Sequence, residues 1–339
     1  MTLGDPTGIG PEILLKALTS AEIFQVCRPI VFGDEGVLSK EARHMGLEIS
    51  IQSVGSIPEE GYEPGKVVLL PSSRLKADSL TYGQPDPSCG EAMVRFVEEA
   101  VRQLREGRLD ALTTCPINKH ALQKAGYPIP GHTELLAHLA GVSEVAMMFI
   151  GPKWRVVLVT THLPLREVPK RITRDRLRSI FQLAHEGIER YFGIERPRMA
   201  VLGLNPHAGE EGVLGEEEER EILPAIVEAK AFGFQIEGPF PSDSFFGRPD
   251  SQAFEVVIAM YHDQGLIPVK MDGFKDLVHL TLGLPFVRTS VPHGTAYDIA
   301  GKGVADPSGL IRAIVMAARL SQRKEWQTES EGPPSKAPS

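Results

Sequence analysis

Met199-Ala200-Val201-Leu202-Gly203-Leu204-Asn205-Pro206-His207-Ala208-Gly209 is the stretch that decides the fold. A short apolar run ends in a cluster of Gly, Asn and Pro. The run reads as a buried strand and the cluster as the loop at its carboxyl end. Residues 217–231 follow with apolar positions three and four apart, the spacing of an amphipathic helix. The same unit recurs outward in both directions. Pro29-Ile30-Val31-Phe32, Val67-Val68-Leu69-Leu70, Val156-Val157-Leu158-Val159 and Val256-Val257-Ile258-Ala259 are further buried-strand runs. Residues 13–18, 91–105 and 174–191 have helical character. Alternating strand and helix predict an α/β fold with a largely parallel sheet. At 339 residues the chain exceeds the roughly 250–300 at which one core splits, so two domains or two lobes around a cleft are expected. The stretch 323–339, rich in Pro, Ser and Glu, is expected to be disordered.

Composition narrows the function. A net charge of −8 without a basic patch argues against nucleic acid as a partner. No apolar run approaches the roughly 18 residues of a membrane span, and no signal-peptide pattern opens the chain. Cys27, Cys89 and Cys115 are widely spaced and form no CxxC pair, which suits a reducing compartment. The expected location is the cytoplasm. The acidic run Glu216-Glu217-Glu218-Glu219-Arg220-Glu221 reads as the start of a helix, where carboxylates suit the positive end of the macrodipole. Gly4-Asp5-Pro6-Thr7-Gly8-Ile9-Gly10 is not a P-loop, since no Gly-Lys-Ser/Thr follows. Only three residues precede that turn, so its strand is very short or the chain starts upstream.

Three histidines stand at or near strand ends in turn-rich contexts: His162 in Thr160-Thr161-His162-Leu163-Pro164, His207 in the opening stretch, and His262 in Met260-Tyr261-His262-Asp263-Gln264-Gly265. Ligands of parallel α/β sheets bind at carboxyl ends of strands. Three imidazoles gathered there hold a divalent transition metal and leave a position open for substrate. The alternative is three separate, hydrogen-bonded loop histidines, and spacing alone does not choose. His293-Gly294-Thr295-Ala296-Tyr297-Asp298-Ile299-Ala300-Gly301 reads either as a nucleotide loop, with glycines for close backbone approach and Asp298 for a ribose hydroxyl, or as a plain loop before the last helix. No GxGxxG fingerprint is present. Gly131-His132-Thr133-Glu134 opens an apolar helix whose free N–H groups suit an anion. Lys270, after the strand-like Ile267-Pro268-Val269, and Arg288 are further anion-binding candidates.

Taken together, these motifs resemble the 4-hydroxythreonine-4-phosphate dehydrogenase family, including its 4-phospho-D-threonate and D-erythronate branch. Besides the histidine segments, Gly4 to Glu12, Thr114-Cys115-Pro116-Ile117-Asn118-Lys119, Gly131-His132-Thr133-Glu134 and Leu282 to Gly303 carry the likeness, in the family's order and over nearly the whole chain. The resemblance implies a two-lobed α/β/α subunit of the isocitrate/isopropylmalate dehydrogenase type. One lobe would be residues 1–130 with 275–322, carrying the nucleotide loop. The other would be 131–274, carrying metal ligands and dimer contacts. It implies a homodimer with the active site at the subunit interface and in the cleft between lobes.

By the same resemblance His162, His207 and His262 are metal ligands, one of them reaching from the partner. His132, Thr133, Lys270, His279 and Arg288 meet the substrate, a small phosphorylated hydroxy acid. His293, Gly294, Ala296, Asp298 and Gly301 meet the cofactor, NAD, with NADP as the alternative and NAD favoured by Asp298. Zinc is the foremost metal, with cobalt or magnesium as alternatives. Lys270, Asp263 and Asp243 are candidates for catalysis, the two aspartates as proton relays or supports. The implied reaction is oxidation of the C3 hydroxyl of 4-phosphooxy-L-threonine to a β-keto acid, which decarboxylates to 3-amino-2-oxopropyl phosphate. The alternative substrates are 4-phospho-D-threonate and D-erythronate. One departure is notable: an Asn is usual where this chain has His279. A metal-dependent hydrolase or aldolase, or a metabolite-binding protein without catalysis, would need no nucleotide loop.

Overall fold

The strand, loop and helix around Met199 form as the sequence predicts, and they belong to a mixed sheet. The computed structural model describes residues 1–129 and 131–322; the tail from 323 lies outside them. The strands are β1 (Ile30–Gly33), β2 (Ser50–Ser53), β3 (Lys66–Pro71), β4 (Ala111–Thr114), β5 (Ala146–Ile150), β6 (Arg155–Leu158), β7 (Arg198–Leu202), β8 (Gln235–Phe240), β9 (Val256–Ala259), β10 (Val278–Leu282) and β11 (Val287–Ser290). The helices are α1 (Gly10–Ala17), α2 (Ala21–Val26), α3 (Glu35–Met45), α4 (Pro87–Arg105), α5 (Lys119–Lys124), α6 (His132–Ala140), α7 (Arg174–Phe192), α8 (Leu223–Ala231), α9 (Ser242–Phe245), α10 (His262–Gly273) and α11 (Ser308–Ser321).

One sheet runs β1-β3-β2 and the other β4-β11-β10-β5-β6-β9-β7-β8. Thr2 bridges both, pairing with Phe32 and Thr114. The strand before the glycine-rich turn is therefore a single bridging residue. Pairing is parallel except where β10 meets β11 and β5, and where β5 meets β6. The expected parallel sheet holds on both flanks and gives way in the middle. The cause is loop length: only residues 151–154 join β5 to β6, and 283–286 join β10 to β11. Connections that short link only antiparallel neighbours. In the β10·β5 ladder Leu282 lies opposite Ala146.

The apolar core falls into bodies on either side of this middle. One gathers Leu3, Ile13, Val31, Phe32, Leu69 and Phe96 with Leu284, Phe286 and Leu310. Another covers one face of β5, β7, β9 and β10 with α7. A third lies on the opposite face, with Leu266 and Val269 of α10. Helix α7 shows how the local code works. Thr173 caps its start by accepting from the Arg176 N–H, Gly193 closes it in the left-handed region, and Leu177, Ile180, Phe181, Ala184 and Ile188 bury one face.

Two expectations need correction. Ile267-Pro268-Val269 is not strand-like; it lies inside α10, which carries Pro268 in its interior. The helix holds because Gly265 seats it on β6 and β9: a Cβ there would stand 2.7 Å from Val156 and 2.9 Å from Leu158. Lys270 is thus a helical residue. The acidic run does open a helix, through a π-helical turn over Glu218–Ile222, yet Glu218 is only 2% exposed. No helix among the described residues is long and apolar enough to cross a membrane.

Candidate active site

The floor of the site is made by alternate residues of four adjacent strands. His279 on β10 stands opposite Phe149 on β5 and Ser290 on β11. Ser290 in turn stands opposite Thr114 on β4. Because side chains alternate along strands, this register puts Phe149, His279, Arg288, Ser290 and Thr114 on one face. Arg288 is 2% exposed. Its Nη1 donates to Thr281 Oγ1 at 2.9 Å and contacts His279 Nδ1 at 3.3 Å, and its Nη2 donates to Thr114 Oγ1 at 2.7 Å. Its Nε has no partner. Among the described residues no carboxylate forms an ion pair with it, although the charge of Glu134, which lines the same cavity, acts on it; burial pushes its pKa down to about 9, so it stays charged at neutral pH. A buried cation held only by neutral groups is costly unless an anion joins it.

Above this floor lies a cavity of about 280 Å³. His132 and Thr133 enter it from the first turn of α6, whose N-cap is Gly131 with no side-chain cap, so backbone N–H groups there are free for an anion. His162 and His262 follow the neighbouring parallel strands β6 and β9, and their ring centroids are 5.8 Å apart. Asp263 Oδ1 accepts from His262 Nδ1 at 2.7 Å. That bond leaves Nε2 of His262 with its lone pair, the usual arrangement behind a metal-binding imidazole. Lys270 lines the cavity from α10, with Nζ 5.6 Å from the centre of the Phe274 ring. Burial first, then the charge of Arg288, pushes the pKa of both His132 and His279 well below the ordinary histidine value.

The structure brings together His132, Thr133, His162, His262, Lys270, His279, Arg288, His293 and Gly294. It places His207 and Asp243 elsewhere in the chain. His207 follows β7, beside β9, but sits in an exposed loop where His207, Ala208, Glu210 and Glu211 all have positive φ. Glu218 holds that loop: its carboxylate accepts from the Leu204 and Asn205 N–H groups at 2.7 Å and from Asn205 Nδ2 at 2.8 Å. Asp243 is exposed at the start of α9. Among the described residues no three His, Cys, Asp or Glu of this one chain form a metal-binding group. The donor chemistry of His162 and His262 suits a transition metal that takes a further ligand from outside this set.

From His293 and Gly294 the chain runs away from the cavity along Ala296, Asp298 and Gly301. This segment is buckled to the N-terminal glycine turn. Ile9 N–H donates to the Thr295 carbonyl, and Tyr297 O–H donates to the buried carboxylate of Asp5. A Cβ on Gly8 would stand 2.9 Å from Thr295, and one on Gly301 2.5 Å from the Tyr82 ring. Asp298 is exposed. The Gly4–Gly10 turn thus serves to hold the later loop. Sequence reasoning missed Thr114, Thr281, Ser290 and Phe149, which shape the floor, and Lys119 and Glu134 at the rim. Alternation of apolar and polar residues in Val278–Leu282 and the polar run Arg288-Thr289-Ser290 were the available signal. A larger cavity of about 780 Å³ lies by Arg28, Glu59, Arg108 and Asp110, but no histidine lines it.

A family model described as pyridoxal phosphate biosynthetic protein PdxA matches residues 25–317. The chain belongs to that family. It is 46% identical over 318 residues to a 4-hydroxythreonine-4-phosphate dehydrogenase of Desulforapulum autotrophicum, covering 94% of each chain. It is 41% identical over 325 residues to a D-threonate 4-phosphate dehydrogenase of Cupriavidus necator, covering 96% of this chain and 97% of the other. The crystal structure of 4-hydroxythreonine-4-phosphate dehydrogenase from Klebsiella pneumoniae matches with a TM-score of 0.85 at 36% identity, covering 95% of this chain and 98% of that one. The PdxA fold is therefore shared throughout, and the protein is a dehydrogenase. The hydrolase, aldolase and non-catalytic readings fall away.

Proposed function

We propose that this protein catalyses metal-assisted, NAD-linked oxidation of the C3 hydroxyl of a four-carbon 3-hydroxy acid phosphorylated at C4. The relatives' names supply two candidates, 4-phosphooxy-L-threonine and 4-phospho-D-threonate. The observation that carries the reading is Arg288, a buried guanidinium that forms no ion pair among the described residues, at the base of a cavity that also holds two adjacent imidazoles. Arg288 binds one anionic end of the substrate, and Lys270 with the α6 N-terminus binds the other. Held at both ends, the substrate is oriented with C3 towards His162 and His262. His162 and His262 would hold the metal, and the Asp263 carboxylate fixes the tautomer of His262. When bound, the metal supplies a Lewis acid that eases proton loss from the hydroxyl, and NAD supplies the hydride acceptor. The resulting ketone stands β to the carboxylate, so loss of carbon dioxide follows; from 4-phosphooxy-L-threonine the end product is 3-amino-2-oxopropyl phosphate.

His293 to Gly301 is the place for the nucleotide, with Asp298 towards the ribose. Zinc fits the imidazole donors first, with cobalt or magnesium as alternatives. His207 would complete the metal site from a partner subunit. Exposed apolar residues support such a dimer: Leu165 follows the His162 loop, Val213 and Leu214 lie in the His207 loop, and Ile267 and Met271 project from α10. Division into lobes would follow the separate core bodies. Three free thiols suit the cytoplasm. The test is NADH formation by metal-replete protein with the two candidate substrates, in the native chain and in Arg288→Met. The variant is expected to stay folded, because an uncompensated buried charge is removed, and to raise KM at least about a hundredfold. An unchanged KM refutes the reading.

A further inference from the structure

His279 is the polar residue of the floor with a ring nitrogen left over once the other roles are filled. It is 7% exposed, its ring stacks on Phe149 with centroids 5.0 Å apart and planes 17° apart, and it lines the cavity. Its two nitrogens differ. Nδ1 lies 3.3 Å from Arg288 Nη1 and 3.0 Å from Ser290 Oγ. Nε2 is buried and has no partner. A guanidinium has donors only, so a hydrogen on Nδ1 would face a hydrogen on Arg288. Nδ1 is therefore the acceptor, and Ser290 can turn its hydroxyl to donate to it as well. The proton of the neutral ring sits on Nε2, and this N–H waits for an acceptor that no residue of the described chain supplies.

The candidate substrates have four polar groups. The phosphate and the carboxylate are anions, matched by Arg288 and by Lys270 with the α6 N-terminus. The C3 oxygen belongs with the His162 and His262 pair. The substituent on C2 remains, and the two candidates differ there: one bears an ammonium, the other a hydroxyl. An ammonium has three hydrogens and no lone pair. Against the Nε2–H of His279 it places donor on donor, beside the charge of Arg288, whose hydrogen-bond partners among the described residues are neutral groups. A hydroxyl offers an oxygen lone pair and can donate its own hydrogen elsewhere.

We propose that His279 is a specificity-determining residue, which presents a fixed N–H to the C2 position and makes this chain prefer the 2-hydroxy acid over the 2-amino acid. The inference rests on the function proposed above and ranks its two substrates. The same floor with an amide at this position would offer a carbonyl oxygen to an ammonium and an N–H to a hydroxyl, and would tolerate either.

The experiment measures kcat/KM for NAD reduction with 4-phospho-D-threonate and 4-phosphooxy-L-threonine, for the native protein, His279→Asn and His279→Gln. The native protein is expected to favour the threonate at least about tenfold, as befits a buried polar group left unpaired by the wrong substrate. In one or both variants that ratio is expected to shrink about tenfold, through gain on the amino acid as well as loss on the hydroxy acid. Native preference for the amino acid overturns the inference while leaving the dehydrogenase reading intact. So does a ratio that neither amide variant moves. Turnover of neither compound overturns the parent reading and this one with it. The native ratio stands as a test even if a variant fails to fold.

Discussion

Replacing Glu218 by Gln isolates the role of the buried carboxylate beneath the His207 loop. The loop carries four non-glycine residues at positive φ, His207, Ala208, Glu210 and Glu211, each disfavoured by about 1 kcal/mol or more. Something must offset that cost, and Glu218 is the group in place. Its Oε1 takes two backbone N–H groups and its Oε2 takes the Asn205 amide. Gln keeps the shape. It converts the two charge-assisted bonds to neutral ones, losing about 1 kcal/mol each. It also turns an N–H₂ towards the Asn205 Nδ2, losing about 1 kcal/mol more. If Asn205 flips to compensate, it gives up its 2.8 Å bond to Glu217. The total is about 3 kcal/mol, which raises the population of the opened loop about a hundredfold. Amide hydrogen exchange read by mass spectrometry over residues 203–212 would show that acceleration, with α7 unchanged, and the affinity for divalent metal would fall as His207 loses its frame. Exchange at the native rate in Glu218→Gln refutes the account of the loop.

Two further predictions concern charge. Burial and the Arg288 charge hold His279 neutral in the folded chain, whereas the unfolded chain protonates it below its ordinary value of 6.5. The unfolded state thus binds more protons at low pH, so this contribution to stability is full above about pH 6.5 and is lost as pH falls, at about 1.4 kcal/mol per pH unit. Thermal melts between pH 7 and pH 5.5 should show a shallower slope for His279→Phe than for the native chain; parallel slopes would count against the buried neutral imidazole. For the nucleotide loop, Asp298→Ser should raise the NADP to NAD ratio of kcat/KM about tenfold, because a carboxylate there repels a 2′-phosphate. A ratio that stays put would remove Asp298 from the cofactor site.

What the sequence could show depended on which side of a strand meets the core. Strands β1, β3, β6, β7 and β9 are legible as apolar runs because both faces are packed. Strands β10 and β11 are as deeply buried, yet Val278-His279-Leu280-Thr281-Leu282 alternates apolar and polar residues and Val287-Arg288-Thr289-Ser290 is mostly polar. His279, Thr281, Arg288 and Ser290 share the face of the candidate site while Thr289 turns to α11, and the pattern imitates a strand with one wet face. Ile267-Pro268-Val269 misleads in the opposite direction, since two apolar residues around a proline carry no period, and Gly265 against β6 decides for helix only once the sheet exists. The side chains proposed to meet the substrate were named through family likeness. The residues that orient them, Thr114, Thr281, Ser290 and Phe149, are ordinary in type and acquire meaning from strand register alone. Glu218 was hidden among five other charges, and no pattern distinguishes the one carboxylate that turns inward.

Leu282 stands opposite Ala146 across the β10·β5 ladder. The chain therefore departs from the first body and comes back to it at nearly one point in space. Everything between those two residues, including the loops of His162, His207 and His262, is a detour with coincident ends. To the polypeptide that hosts it, such an insert costs little more loop-closure entropy than a tight turn would. Its length and loops can be rewritten without moving the strands that meet it, as domain insertions at neighbouring ends generally allow. His279, however, rides on the returning strand just before Leu282, and Arg288 follows on the next strand, in contact with it. A lineage could therefore rewrite the loops of the detour almost freely, while His279 and Arg288, in contact across the seam, would have to change together.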